Sequence, residues 1–278
     1  MIYDLTHRTL YHYAEPARFA RHLLHLLPRA REGQRVLDAR LEIAPLPEKR
    51  FDEVDYFGNK LTTIALIAPH ETLEITLRAT IAREAPEEAP HAATLAAVRE
   101  AAAFAEFTLP TALTEADAAI SDFASAATAN ESDAFGAGLA LMGAINRSFT
   151  YRPGVTSVAT TAPAALARQE GVCQDYAHVM LAALRALGLP CRYVSGYLRS
   201  GDATRGAEQS HAWVSLWVGP EGGWVDFDPT NDRVAGADHA TLAWGRDFED
   251  VSPVRGVIRG GGRHRPVVEV AMLPAMGS

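Results

Sequence analysis

The segment Gly-Val-Cys-Gln-Asp-Tyr at residues 171–176 contains Cys173, a side chain that can act as a nucleophile. Apolar residues follow at steps of three or four, the spacing of one helix face: Ala177, Met180, Leu181, Leu184 and Leu187. Gly188 and Pro190 end the pattern, so we predict a helix that begins at Cys173. The free N–H groups and the dipole at a helix N-terminus favour an anion, so a thiol there carries more reactive thiolate. The alternative is a small buried core residue.

Two strand-like segments downstream carry residues that could activate this thiol. Residues 210–218 alternate in polarity as a strand does, and residues 223–228 form a second strand after a short Gly/Pro turn. Two such strands pair as a hairpin, which brings His211 and Asp228 to the same end. A carboxylate in that position can hold the imidazole tautomer that deprotonates Cys173.

Three other polar residues compete for roles at this site. Asp226 shares strand parity with Asp228, so alternation alone does not choose between the two carboxylates. Asp175 and His178 lie within about one helical turn of the thiol in sequence, and either could lie beside it. We favour the simpler interpretation of both as polar residues of the helix start and of the surface.

Three sequence blocks together resemble a known family. They are Gly-Val-Cys-Gln-Asp-Tyr-Ala-His at 171–178, Ser-His-Ala-Trp-Val at 210–214 and Gly-Trp-Val-Asp-Phe-Asp-Pro-Thr-Asn at 223–231. In this order and spacing, they are similar to the transglutaminase-like superfamily, and more specifically to its bacterial branch of candidate cysteine proteases. The resemblance covers residues 149–231 well.

The resemblance implies a papain-like α+β core, with a cysteine at a helix N-terminus packed on an antiparallel sheet that carries histidine and aspartate. By position in the motifs, Cys173 matches the nucleophile, His211 the base and Asp228 the carboxylate. An aromatic residue often precedes the helix in relatives, so Tyr151 could donate its O–H to a developing oxyanion beside the Cys173 backbone N–H. We favour the simpler interpretation of Tyr151 as a core aromatic beside a Pro-Gly turn.

The chain is predicted to divide into an N-terminal domain, a linker and a catalytic domain. Alternating segments at 3–13 and 72–81 predict an all-β, sandwich-like domain over residues 1–84, of the kind that the bacterial branch often carries. Residues 85–92, rich in Pro and Glu, read as a linker, and residues 93–278 as the transglutaminase-like catalytic domain.

Further elements are expected within the catalytic domain. Helices are predicted over 93–107, from Thr114 with Asp117 in its first turn, and after a Ser132 cap. A final strand near 265–270 is expected to pair with the catalytic sheet.

Composition narrows the classes of partner and compartment. The chain is 48% hydrophobic, 22% charged and carries a net charge of −8, so we expect a folded protein that binds neither nucleic acid nor an anionic membrane surface. We find no apolar run of membrane-spanning length and no signal peptide. Two cysteines do not make a disulfide framework. The expected location is therefore cytoplasmic. Cys191 is predicted to be a buried structural thiol.

No metal site is predicted, because the histidines near the start of the chain lack a ligand spacing. His22 and His25 are interpreted as solvent-facing polar residues.

The expected function is acyl transfer on a peptide or protein amide through a thioester, without a cofactor. Cys173 attacks the carbonyl, His211 takes and returns the proton, and Asp228 orients His211. Water as the second nucleophile gives hydrolysis, which we favour, whereas an amine gives transamidation with the same residues. A non-catalytic peptide-binding module on the same fold is the alternative from a different class.

Overall fold

The computed structural model describes residues 1–84, 90–100, 102–201, 205–206 and 209–275. In this part of the chain, helices accompany two main antiparallel sheets, which confirms the α+β class. The larger sheet has seven strands: β1 (Ile2–Leu24), β2 (Gln34–Ala44), β3 (Lys49–Val54), β4 (Lys60–Leu66), β5 (His70–Arg83), β13 (Val254–Gly260) and β14 (Val267–Pro274). The smaller has five: β8 (Cys191–Leu198), β9 (His211–Trp217), β10 (Trp224–Asp228), β11 (Arg233–Val234) and β12 (His239–Gly245).

The remaining elements surround the smaller sheet. The short strands β6 (Thr150–Tyr151) and β7 (Glu170–Gly171) pair in parallel. The α-helices are α1 (Leu95–Arg99), α2 (Ala118–Ala127), α3 (Ala134–Ser148), α4 (Ala162–Arg168), α5 (Cys173–Ala186) and α6 (Phe248–Val251), and a 3₁₀ helix covers Ala102–Thr108. The helix predicted over 93–107 is therefore not continuous, and Asp133 rather than Ser132 caps α3.

β1 is the common strand of the larger sheet. Its alternating buried residues extend beyond the predicted 3–13 to Leu24, across an irregularity between His12 and Ala17. The first half of β1 pairs with β5 and β14, and the second half with β4 and β13. His22 and His25 are buried in and just after the second half, so the prediction that they face solvent is wrong.

The C-terminal strands belong to the same sheet as the N-terminus. Met272 pairs with Leu5, and Ile258 pairs with Ala20. The prediction that the final strand joins the catalytic sheet is therefore wrong. Residues 254–274 instead complete the sheet of the N-terminal part of the chain. Alternation identified the strand but carries no information on its partner. Of the predicted linker 85–92, residues 85–89 lie outside the described residues.

The smaller sheet has the strand order β11-β10-β9-β8-β12. The predicted hairpin is confirmed: β9 and β10 are antiparallel, with Trp217 opposite Trp224 and Val214 opposite Phe227. This register brings the start of β9 to the end of β10, where His211 and Asp228 lie.

Helix α5 packs on this sheet and is surrounded by α2, α3 and α4. The helix predicted from Cys173 is thus confirmed, but it is buried on every side from Gln174 to Arg185 rather than on one apolar face. His178 is fully buried within it, so its interpretation as a surface residue is wrong. Arg185 remains satisfied inside the core because it donates to Thr114 Oγ1 at 2.6 Å and to the Arg246 carbonyl at 2.6 Å.

Carboxamides from the N-terminal part of the chain cover the free edge of β12. Gln34 donates to the Thr241 carbonyl at 2.7 Å and accepts from the Thr241 N–H at 2.8 Å. Asn59 repeats this arrangement at Trp244, with distances of 2.8 and 3.0 Å. Because an unpaired sheet edge is costly when buried, these side chains replace a neighbouring strand and join the two sheets.

Candidate active site

The backbone before α5 is fixed by a buried carboxylate. Asp175 lies in the first turn, and its Oδ2 accepts from the Val172 N–H at 2.8 Å and from Thr156 Oγ1 at 2.7 Å. Burial raises the pKa of Asp175, and these hydrogen bonds oppose the rise. Asp175 thus serves the helix start, as expected, and positions Cys173 as the first residue of the helix. The Cys173 side chain is half-buried and not in a disulfide.

His211 is joined to Asp228 inside the protein. Its Nε2 lies 2.9 Å from Asp228 Oδ2, and both side chains are 0% exposed. A carboxylate can only accept, so Nε2 carries the proton. Burial disfavours the charged ring, but the charge and hydrogen bond of Asp228, with a contribution from Cys173, outweigh it and raise the pKa of His211 to about 10.

The second ring nitrogen of His211 is left for the thiol. Nδ1 is buried and has no conventional hydrogen-bond partner among the described residues. Cys173 also acts on this ring, and it raises the pKa of His211. The geometry therefore links a thiol at a helix N-terminus, an imidazole and a carboxylate in series.

Asp228 accepts five hydrogen bonds, more than the sequence indicated. Its Oδ1 accepts from the backbone N–H groups of Thr230 at 3.0 Å and Asn231 at 3.2 Å. Its Oδ2 accepts from Asn231 Nδ2 at 2.8 Å and from His239 Nε2 at 3.2 Å, as well as from His211. Burial would raise the pKa of Asp228, but the two histidines hold it far below its usual value.

Asn231 and His239 are the residues that the sequence analysis missed as site components. Asn231 ends the third motif block, directly after the Asp-Pro-Thr turn, so its place near Asp228 was available from the sequence. His239 opens β12, whose residues are almost all buried and show no alternation. No local signal connects His239 with Asp228.

The competing carboxylate, Asp226, has different partners. Its Oδ2 accepts from Arg31 and, at 3.1 Å, from Trp213 Nε1. Burial would raise the pKa of Asp226, but Arg31, Ser215 and Arg192 lower it overall. Asp226 therefore binds the N-terminal part of the chain to the catalytic sheet, and the choice of Asp228 agrees with the contacts of His211.

The other candidate residues have packing contacts. Tyr151 pairs with Gly171 through β6 and β7, and its ring centroid lies 6.5 Å from that of Tyr176; its role toward an oxyanion stays a prediction. His178 Nε2 accepts from the Phe248 N–H at 3.3 Å, and burial lowers the pKa of His178 to about 3. Cys191 is fully buried, as predicted.

Similar proteins identify the family to which this chain belongs. Residues 3–82 match the bacterial transglutaminase-like N-terminal region, and residues 121–229 match the transglutaminase-like superfamily core. The uncharacterized protein ML0607 of Mycobacterium leprae is 33% identical over 265 residues, which cover 93% of each chain. The chain belongs to the transglutaminase-like superfamily. The uncharacterized protein Rv2569c of Mycobacterium tuberculosis is also 33% identical, over 92% of this chain and 87% of its own.

One solved structure shares this fold, and one further relative matches part of the sequence. A candidate cysteine protease from Cytophaga hutchinsonii superposes with a TM-score of 0.79 at 21% identity, over 100% of this chain and 92% of its own. A protein-glutamine gamma-glutamyltransferase of Pseudomonas aeruginosa is 33% identical over 90 residues, which are 30% of this chain and 13% of that protein. The family resemblance and the fold class predicted from the motif blocks are confirmed.

A glycine allows the backbone to approach the transglutaminase-like site. Gly206 has a φ of +82°, and a Cβ atom there would lie 2.7 Å from His211 Nδ1. The same backbone is held by Asn231, whose side chain accepts from the Arg205 N–H at 3.1 Å and donates to the Arg205 carbonyl at 3.3 Å. Asn231 thus connects Asp228 with the segment that contacts the His211 ring.

Among the described residues, no group of three or more His, Cys, Asp or Glu side chains is arranged to hold a metal ion. The same part of the chain contains no helix with the length and apolarity needed to cross a bilayer.

Proposed function

We propose that this transglutaminase-like chain catalyses acyl transfer on peptide or protein amides through a thioester, with Cys173 as nucleophile, His211 as base and Asp228 as the group that orients His211. One observation carries the proposal: a buried imidazole donates from Nε2 to Asp228 and leaves Nδ1 for a thiol at a helix N-terminus. A thiol in this setting can pass its proton to the imidazole and then act as a nucleophile.

The chemistry follows from these positions. The thiol proton moves to His211 Nδ1, and the thiolate attacks the amide carbonyl carbon to form a tetrahedral oxyanion. The C–N bond then breaks as His211 returns the proton to the leaving amine, which leaves a thioester on Cys173. Water, deprotonated by His211, attacks the thioester, the acid departs and the thiol is restored. Tyr151 and the Cys173 N–H are the proposed donors to the oxyanion.

Hydrolysis is the proposed outcome of the second half-reaction. Water is always present, and its exclusion in favour of an amine requires a dedicated pocket. Transamidation is the second candidate, because a segment of 90 residues is 33% identical to part of a protein-glutamine gamma-glutamyltransferase.

The two outcomes are separated by incubating the protein with casein and a fluorescent primary amine. Hydrolysis predicts new peptide termini or released ammonia without incorporation of the amine, whereas transamidation predicts amine attached to glutamine. Cys173→Ala and His211→Ala should abolish either product. Casein binding without any product that depends on Cys173 would contradict the proposal and favour a non-catalytic peptide-binding module.

A further inference from the structure

We infer that His239 is a positioning residue that holds Asp228 and limits how strongly this carboxylate acts on His211. The inference rests on the proposed function, because it assigns His239 a role in tuning the proposed base.

The contact between His239 and Asp228 is a hydrogen bond enclosed inside the protein. His239 Nε2 lies 3.2 Å from Asp228 Oδ2, the same oxygen that accepts from His211, and the His239 side chain is 2% exposed. Because the carboxylate only accepts, Nε2 of His239 carries the proton and donates it. Burial lowers the pKa of His239 even though Asp228 opposes the effect. His239 is therefore a neutral donor to a charged acceptor.

The sheet brings the two histidines together from strands on either side of β8. His211 lies opposite Gly196 and His239 opposite Leu198. Gly196 makes this close packing feasible, because a Cβ there would lie 2.2 Å from the Ala240 carbonyl oxygen and 2.3 Å from the Trp213 ring. The Trp213 ring meets the His239 ring edge-on, with centroids 5.2 Å apart. Both imidazoles are thus fixed by packing around one carboxylate.

The strand that carries His239 is itself anchored by the N-terminal part of the chain. The Gln34 carboxamide binds both backbone groups of Thr241, two residues after His239. Asn59 does the same at Trp244. The N-terminal β-region therefore contributes to the position of His239, and through it to Asp228.

A second donor should weaken the effect of the carboxylate on the base. Each hydrogen bond to Oδ2 stabilises its negative charge and reduces its attraction for a proton on His211. The other charged groups acting on the two rings are Cys173, from α5, and Arg233, from β11. Loss of the donor at residue 239 removes stabilisation only from Asp228, so the pKa of His211 should rise.

Two variants of His239 distinguish the loss of its hydrogen-bond donor from the loss of its ring. His239→Phe keeps a ring but cannot donate, whereas His239→Gln places an amide N–H near the position of Nε2. The measurement is the rate of Cys173 alkylation by iodoacetamide against pH, which needs no substrate, followed by amide turnover on casein. Thermal unfolding confirms that each variant is folded, and His239→Ala is a second donor-free variant if the Phe ring does not fit.

We expect the alkaline inflection of the His239→Phe profile to move upward by about half a pH unit or more. Turnover should fall about tenfold or more, the loss typical when the hydrogen-bond partner of a metal-binding histidine is removed. His239→Gln should stay within about threefold of wild type. An unchanged profile in folded donor-free variants, or equal losses in Gln and Phe variants, would overturn the inference. If wild type itself shows no alkylation plateau that depends on His211, the proposed function fails as well.

Discussion

Asp226 and Asp228 lie two positions apart on one strand, yet their contacts give them different roles. Asp228 accepts from two histidines and Asn231, whereas Asp226 accepts from Trp213 and from Arg31, 195 residues earlier in the chain. Strand parity could not distinguish them, because the distant Arg31 decides the role of Asp226. The family motif did select Asp228, since it fixes position within the Asp-Pro-Thr turn.

Replacement of each carboxylate should give a different defect. In Asp228→Asn the pKa of His211 should fall from about 10 toward the ordinary 6.5, because the carboxylate that raises it is gone. The imidazolium is then lost at lower pH, so the alkaline limb of the activity profile should move to lower pH. Activity should drop by roughly three to four orders of magnitude, as in other triads.

The matched control is Asp226→Asn, measured by the same pH profile and by urea unfolding. Its loss of the Arg31 pairing should lower the free energy of unfolding and leave the alkaline limb in place. If Asp226→Asn shifted the limb and Asp228→Asn did not, the assignment of the two carboxylates would be reversed.

Gly206 offers a steric test of the His211 position. In Gly206→Ala the new Cβ would lie 2.7 Å from Nδ1, so the backbone or the ring must move and activity should fall at least tenfold. Gly154→Ala is the matched control, because Gly154 has the same φ of +82° and nothing within 4 Å of its Cβ position. Equal activity of the two variants would show that Gly206 does not lie against the ring.

Among the helices and strands, the two elements that carry Cys173, His211 and Asp228 follow from local sequence patterns. Helix α5 and the β9–β10 hairpin appear where their apolar spacing and Gly/Pro turn predict them. No strand was predicted over β12, in which every residue except Trp244 is buried. His239 was missed with it, since a residue is assigned to a site only after its strand is placed.

The carboxamide contacts on β12 should contribute to stability. Gln34→Ala leaves the N–H and C=O of the buried Thr241 without these partners, which should cost roughly 1–3 kcal/mol in the free energy of unfolding. Urea unfolding measures this cost. Asn130→Ala removes an exposed carboxamide and should change stability by less than about 0.5 kcal/mol. A Gln34→Ala variant as stable as this control would contradict the role of Gln34 at the strand edge.

At the scale of the whole molecule, the two ends of the chain complete one sheet. β13 and β14 pair with β1 across 230 or more residues of sequence, and such pairing cannot be predicted from local periodicity. The two family matches cover residues 3–82 and 121–229, and the predicted catalytic domain 93–278 includes residues 254–274, which the structure places in the N-terminal sheet. Local sequence patterns did not indicate that the C-terminal strands return to the sheet formed by the N-terminus.

Buried neutral histidines should make the fold sensitive to acid. Burial lowers the pKa of His7 and His22 to about 4, and that of His178 to about 3. Below pH 6.5 the unfolded chain binds protons at these positions and the folded chain does not. The free energy of unfolding should therefore fall as pH decreases from 6.5 to 4, by up to about 1.4 kcal/mol per pH unit for each histidine.

His22 allows this claim to be tested, because neither ring nitrogen has a hydrogen-bond partner among the described residues. His22→Phe should reduce the loss of stability between pH 7 and pH 5, measured by urea unfolding at each pH. His12→Phe, at an exposed position of the same strand, should leave the slope as in wild type. Parallel stability curves for wild type and His22→Phe would contradict the prediction.

Cys173 is reactive in this mechanism because its thiol proton passes to His211, which gives a thiolate–imidazolium pair. The rate of Cys173 alkylation with iodoacetamide against pH, in wild type and in His211→Ala, measures this proton transfer. Cys191 is fully buried and should react slowly, and Cys173→Ala measures its contribution. We predict a wild-type rate that is already on a plateau well below the free-thiol pKa of about 8.5, and a profile shifted to higher pH in His211→Ala. Two superimposable profiles with the midpoint of an ordinary thiol would show that His211 does not activate Cys173.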